Sequence, residues 1–281
     1  MIPNTTFIIK TFERPRIVNR LLASIAEEVR FKNQPIIVVD DGRKPTELNL
    51  HGLTGVRVIN LPFDVGLSAG RNAGVDACET EYFVTLDDDF IFGKHIHQSL
   101  MMMHQAVNER GRDICGGGVV GQPISSGVYR REYVGEKSAI VLHKGHHLKR
   151  ISEKGLPDID CCHHILNFFL ARTEVVRAVR WTDAIKIGLE HPDFFYRCTL
   201  EGYYVGRVWG ASIDHEQDRS NRFYAAFRKK RVKRFTPIAL KNMKADAYAY
   251  RSRSGKIGRI WGDRMDLSNA DRSHLITPKW D

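Results

Sequence analysis

Three consecutive aspartates, Asp87-Asp88-Asp89, stand directly after the apolar run Tyr82-Phe83-Val84-Thr85-Leu86. Such a run reads as a buried strand, and carboxylates at its end can face one ligand from the turn that follows. Hard divalent cations such as Mg²⁺ and Mn²⁺ take oxygen ligands, commonly one or two carboxylates completed by substrate phosphates. Taken alone, the triplet also reads as a solvated acidic loop or a helix cap. A second acidic pair, Asp40-Asp41, follows Ile36-Ile37-Val38-Val39. A carboxylate there can accept hydrogen bonds from a base N–H or a ribose hydroxyl, although Asp-Gly after a strand is also ordinary turn chemistry. Between them, Gly66-Leu67-Ser68-Ala69-Gly70-Arg71-Asn72 offers small residues where a backbone can approach a nucleotide, with one cation for phosphate. Its spacing is neither that of a Walker loop nor that of a dinucleotide fingerprint.

Farther along, Glu190-His191-Pro192-Asp193 precedes a helical pattern. Acids in a first helical turn complement the macrodipole, so plain capping explains them. A carboxylate there also suits a general base that takes a proton from a hydroxyl. His215 follows a late strand, where imidazole could join carboxylates and a diphosphate around a metal. Cys161-Cys162-His163-His164 has the composition of a zinc site but not its spacing, because adjacent residues of an extended chain point to opposite faces.

The elements that must position these groups alternate. Strands are expected at 5–9, 36–39, 56–59 and 82–86, and a helix with apolar Ile17, Leu21, Ile25 and Val29 follows the first. The glycine-punctuated turn 66–72 leads into a short predicted helix, 73–78. Alternation of this kind predicts a mostly parallel α/β sheet covered on both faces, with ligands outside the carboxyl ends of the strands. Both acidic clusters lie at such ends. A helix is expected around Ile96, Leu100, Met103 and Val107, its methionines 101–103 filling core. Shorter strands are expected at 129–134 and 139–142, a helix near 173–179, another at 194–200, and a strand at 203–209.

With 281 residues the chain can bury a full core, and 42% hydrophobic with 27% charged residues is ordinary for a globular protein. The formal net charge is +10, but between Asp218 and Arg264 there are 15 Lys/Arg against 3 Asp, so the rest is slightly acidic. We therefore divide the chain into a catalytic domain, 1–217, and a basic, helical C-terminal extension, 218–281, packing on or beside it. The run 228–234 suits peripheral contact with an anionic membrane, or a solvated helix face. A nucleic-acid binder driven by this tail, or a nucleotidyltransferase, are the competing readings; acidic strand ends on a near-neutral 1–217 make nucleic acid the poorer partner. Five cysteines without regular spacing argue against a disulfide framework. No signal-like or membrane-length apolar run is evident, which favours a cytoplasmic protein at most peripheral to a membrane.

Together, "FIIKTFERP", "IIVVDDG", "GLSAGRNAGV", "YFVTLDDDF", "NFFLARTEVVRAVRW" and "LEHPDFF" resemble the GT-A glycosyltransferases of family 2, in particular the ganglioside-type β-1,4-N-acetylgalactosaminyltransferases. The resemblance covers roughly residues 5 to 216. It implies a nucleotide-diphospho-sugar transferase fold and an inverting transfer from a UDP-sugar, UDP-GalNAc first, to a glycan, glycolipid or protein hydroxyl. Thr11 and Asp41 would lie near base and ribose, and Gly70, Arg71 and Asn72 along the nucleotide diphosphate. Asp87 would touch ribose or metal, Asp88 the nucleotide, and Asp89 with His215 would bind Mn²⁺ or Mg²⁺. Glu190 would be the base, with Asp193 the alternate, because the family's common Glu-Asp is Glu190-His191 here. Trp181 and Asp183 would wall the donor sugar or acceptor.

Overall fold

Strand alternation builds the centre of the molecule. A computed structural model describes residues 1–123, 125–217 and 222–277. Its first half runs β1 (Thr5–Thr11), α1 (Pro15–Glu27), β2 (Ile36–Asp40), β3 (Val56–Asn60), α2 (Leu67–Asp76), β4 (Tyr82–Asp87), β5 (Phe90–Ile91), α3 (Ile96–Asn108) and β6 (Ile114–Val119). The second half continues with β7 (Gly127–Val134), β8 (Lys137–Lys144), β9 (Lys149–Ile151), β10 (Ile159–Cys162), β11 (Phe169–Arg172), α4 (Thr173–Val179), α5 (Glu190–Glu201), β12 (Val205–His215), α6 (Arg222–Met243), β13 (Ala247–Arg251), β14 (Ile257–Gly262) and β15 (Asp271–Leu275).

The main sheet has the order β3-β2-β1-β4-β11-β6-β12-β10-β9, with β5 paired to β12. Its first four strands are mutually parallel, and antiparallel pairings enter at β11. Side chains of one strand alternate between two cores, as a two-residue period requires. Phe7 and Ile9, Val38, and Val84 and Leu86 join Leu21, Leu22, Ile25, Leu100 and Met103 beneath α1 and α3. Ile8, Val39 and Phe83 turn the other way, toward Val75, Val176, Phe194 and Phe195. Met103 is fully buried, so the methionine run does fill core.

Three elements differ from expectation; the first is α1, which ends at Glu27 and leaves Val29 outside the helix and 67% exposed. Helix α2 begins at Leu67, inside the segment read as a turn. Gly66 alone makes the bend, at φ +100°, and a β-carbon there would lie 2.5 Å from that of Lys186. Gly74 sits within the helix because a β-carbon would come within 2.5 Å of Ile8 Cγ2. Among the described residues the C-terminal segment is helical over α6 and one 3-10 turn, Leu267–Asn269. Its remainder supplies three strands of a second sheet, β14-β13-β8-β7-β15, completed by the mid-chain hairpin β7–β8. Alternating apolar residues such as Ala247, Ala249 and Ile260 make that stretch a strand former, and they close a small core with Ala139 and Val141. Arg251 donates to buried Glu132 (2.6 Å), which also meets His143 (2.7 Å), so β13 is locked to β7 and β8 by charge as well as by its ladder. Among the described residues no helix is long and apolar enough to cross a membrane.

Candidate active site

Register brings the acidic clusters together. Lys10 of β1 lies beside Val39 of β2 and Asp87 of β4, so Thr11, Asp41 and the triplet emerge from three adjacent strand ends. Short β5 then pairs with the end of β12, Phe90 opposite His215, which carries the histidine back to Asp89 from the far side of the sequence. A cavity of about 220 Å³ opens there, and Thr11, Asp41, all three triplet aspartates, Glu190 and His215 line it.

The carboxylates do different jobs. Asp88 is buried; it accepts from Thr11 Oγ1 (2.8 Å) and Arg14 Nε (3.1 Å) and is ion-paired to the same guanidinium. Burial pushes its pKa up to about 7 despite the Arg14 charge. Thr11 is thus committed to the triplet. Asp87 accepts from Asn167 Nδ2 (2.9 Å) and Arg71 Nη2 (3.2 Å) and remains about one-third exposed. Asp89 faces His215 Nε2 at 3.3 Å and Arg14 Nη1 at 3.2 Å. Asp41 is buried, bound to Lys10 and to the Gly66 N–H (2.8 Å), and so fixes the loop that starts α2.

Among the described residues no three His, Cys, Asp or Glu side chains gather as a ready-made metal cluster. Asp89 with His215 is a pair whose donor types and spacing fit part of a divalent-cation site, which would need further oxygen ligands to complete it. Gln122 lies 3.2 Å from His215 Nδ1. The atom there is the Gln122 amide nitrogen, which donates to Nδ1 and so places the neutral ring's proton on Nε2, toward Asp89; a cation at Nε2 would have to displace that proton. Asp87 is turned to Arg71 and Asn167 instead.

The two candidate bases separate cleanly. Glu190 opens α5, lines the cavity, and its buried Oε2 has no hydrogen-bond partner among the described residues. Asp193 is fully buried one turn on and does not line the cavity. It accepts from Thr182 Oγ1 (2.8 Å), Arg197 Nη2 (3.0 Å) and Asn242 Nδ2 (2.8 Å), so its oxygens are consumed in structure. His191 donates from Nε2 to the Ile165 carbonyl (2.8 Å), and burial, then the Arg71 charge, lower its pKa to about 4.

Other sequence candidates sit behind the cavity wall. Asn72 exchanges hydrogen bonds with the Trp181 backbone (2.8 and 3.0 Å) and donates to Asp183 (2.6 Å). Trp181 is itself buried, stacked on Phe194 at 4.4 Å, and is not among the described residues that line the cavity. Gly70 makes room for the Lys10 side chain. Sequence reasoning missed Lys10, Arg14, Asp64, Asn167 and Lys186, all of which line the cavity. Lys10, Arg14 and Asn167 lie inside or at the start of quoted motifs; nothing local marks Asp64 or Lys186. Of the basic run 228–234, the side chains of 228–230 lie outside the described residues. Arg231 faces the cavity, while Lys233 and Arg234 are exposed.

The sequence profile of the family described as Glycosyl transferase family 2 matches residues 6–177. This chain belongs to that family. It is 30% identical over 211 residues to mouse "Beta-1,4 N-acetylgalactosaminyltransferase 2", and 30% over 222 residues to human "Beta-1,4 N-acetylgalactosaminyltransferase 1". Each match takes in 75% of this chain but only 39% and 38% of the relative, so the chain spans about two-fifths of those proteins. Among solved structures, S. aureus TarS 1–349 in complex with UDP-GlcNAc superposes with a TM-score of 0.58 at 13% identity, covering 86% of this chain and 67% of that one. GalNAc-T7 with UDP, GalNAc and Mn²⁺ superposes at 0.56 and 14% identity, covering 77% and 43%. At such identities these likenesses show the fold, and it is GT-A.

Proposed function

We propose that this glycosyltransferase moves a sugar from a UDP-sugar, UDP-GalNAc first, to a glycan hydroxyl in one inverting displacement. One observation carries the reading: Glu190, with an unpartnered buried oxygen, shares a cavity with the Asp89–His215 pair. The donor type draws on the family, on the names of the relatives and on the nucleotide-sugar complexes of the structural neighbours.

In the step so read, Glu190 takes the proton of the acceptor hydroxyl as its oxygen bonds to the anomeric carbon. The bond from that carbon to the diphosphate breaks, and the electron pair leaves with UDP. Asp89 and His215 would hold a divalent cation, which when bound offsets charge on the departing diphosphate. Arg14 and Thr11 keep the triplet turn in place, and Asn167 and Arg71 hold Asp87.

Calorimetric titration of the chain with UDP, GDP, CDP and ADP, with and without Mn²⁺, tests this. UDP should bind best and need the metal. Asp89→Ala should remove the metal-dependent gain without lowering the melting temperature of the free protein. Absence of binding by every nucleoside diphosphate with metal present would sink the proposal.

A further inference from the structure

Among the described residues, four cations line the cavity: Lys10, Arg14, Lys186 and Arg231. Two are committed to carboxylates at the sheet, Lys10 to Asp41 and Arg14 to Asp88 and Asp89, and their side chains are 6% and 10% exposed. The other two come from outside the sheet and converge on a single residue. Arg231 of α6 grips Asp64 with two parallel hydrogen bonds of 2.6 Å each. Lys186 reaches the same residue, its Nζ 3.4 Å from Oδ2 and in contact with the backbone carbonyl. One carboxylate therefore serves two cations at the cavity. Burial would raise the pKa of Asp64, but Arg231 and Lys186 outweigh it and hold it below the ordinary range.

The placement is built. Asp64 adopts a left-handed φ of +57°, and its N–H donates to the Asp41 carbonyl (2.9 Å), so the carboxylate is set two residues before the Gly66 bend. Val232, next to Arg231, packs on Gly188, where a β-carbon would fall 2.9 Å from Val232 Cγ1. Gly188 lies two residues before Glu190. Helix α6 is therefore seated against both the α2 turn and the start of α5, and Arg231 lies beyond the stretch 6–177 that the family profile matches.

A planar guanidinium forked on a carboxylate matches phosphate oxygens equally well, and a diphosphate carries more charge than one aspartate. We infer that Arg231 of the C-terminal helix, with Lys186, is a diphosphate-binding group of the donor site, and that Asp64 is the internal anion it leaves when the nucleotide enters. Of the basic run, Arg231 thereby serves the donor site. The inference rests on the nucleotide-sugar reading of the same cavity.

The test measures UDP and uridine binding with Mn²⁺ for the unaltered chain, Arg231→Ala, Arg231→Lys and Asp64→Asn. A hydrogen-bonded charge pair lost from a diphosphate lowers affinity by roughly tenfold or more. Arg231→Ala should therefore weaken UDP by that factor and leave uridine unchanged, and Arg231→Lys should recover part of the loss. Asparagine tolerates left-handed backbone, so Asp64→Asn keeps the loop while removing the competing charge, and it should tighten UDP. An intact melting temperature for Asp64→Asn separates this outcome from misfolding. Failure of the unaltered chain to bind UDP overturns the parent reading and this one with it. UDP binding that Arg231→Ala leaves intact, or that Asp64→Asn weakens, overturns this inference alone.

Discussion

Glu190 and Asp193 stand one helical turn apart and should respond to neutralisation in opposite ways. Glu190 makes no hydrogen bond through Oε2, and the atom is buried. Glu190→Gln breaks nothing there and replaces a poorly solvated carboxylate by a neutral amide, so stability should hold or rise slightly. Loss of a general base costs roughly 10²–10⁴-fold in rate, equivalent to about 3–5 kcal/mol in the barrier. Asp193→Asn removes the charge that accepts from Arg197, Thr182 and Asn242. Breaking a buried ion pair costs about 3–5 kcal/mol, but Arg197 is 23% exposed and solvent takes up part of the loss, which leaves about 2–3 kcal/mol. At roughly 2 °C per kcal/mol for a chain of this size, the melting temperature should fall by roughly 4–6 °C. The assay is UDP release from UDP-GalNAc with water as acceptor, run below both melting transitions, beside thermal unfolding of each variant. Near-normal turnover by Glu190→Gln, with turnover abolished in folded Asp193→Asn, would refute the assignment of the base and the reasoning from hydrogen-bond saturation.

Acid should unfold the protein through its interior histidines. Burial lowers His163 to about 4, and burial with the Arg71 charge does the same for His191. In the unfolded chain both take up protons near 6.5, so between about pH 6.5 and 4 the unfolded state binds more protons and stability is lost as pH falls. The loss is about 2 kcal/mol for each by about pH 5; a urea midpoint unchanged between about pH 7.5 and 5 would contradict it. Gly70→Ala places a methyl group on the Lys10 side chain and should separate that lysine from Asp41. We expect about 1–3 kcal/mol of destabilisation together with weaker UDP binding. A variant as stable as the parent, with UDP affinity intact, would show that Lys10 has room to move.

What could be read from the residues was local. Apolar runs such as Ile36-Ile37-Val38-Val39 and the aspartates that follow them announce strands and strand ends, because period and punctuation act over a few residues. The choice between Glu190 and Asp193 was not legible, since it depends on Thr182 and Asn242 arriving from other elements. Asp64 and Arg231 are 167 residues apart in sequence, and no motif couples them. Composition marked the C-terminal segment as basic and suggested a tail. Composition carries no information about a partner strand, so the pairing of β13 with β8 went unseen.

That pairing has a consequence in time. Ala139 of β8 lies beside Ala247 of β13, and roughly a hundred residues separate them in the chain. At about 5–20 residues per second, a ribosome leaves the β7–β8 hairpin waiting for several seconds to about 20 s with one ladder open. During that interval Glu132 has His143 but not Arg251, so the hairpin cannot bury its carboxylate fully compensated. The nascent chain therefore carries an exposed edge that only its own last quarter can cap, and protection of that edge during synthesis falls to chaperones or to speed.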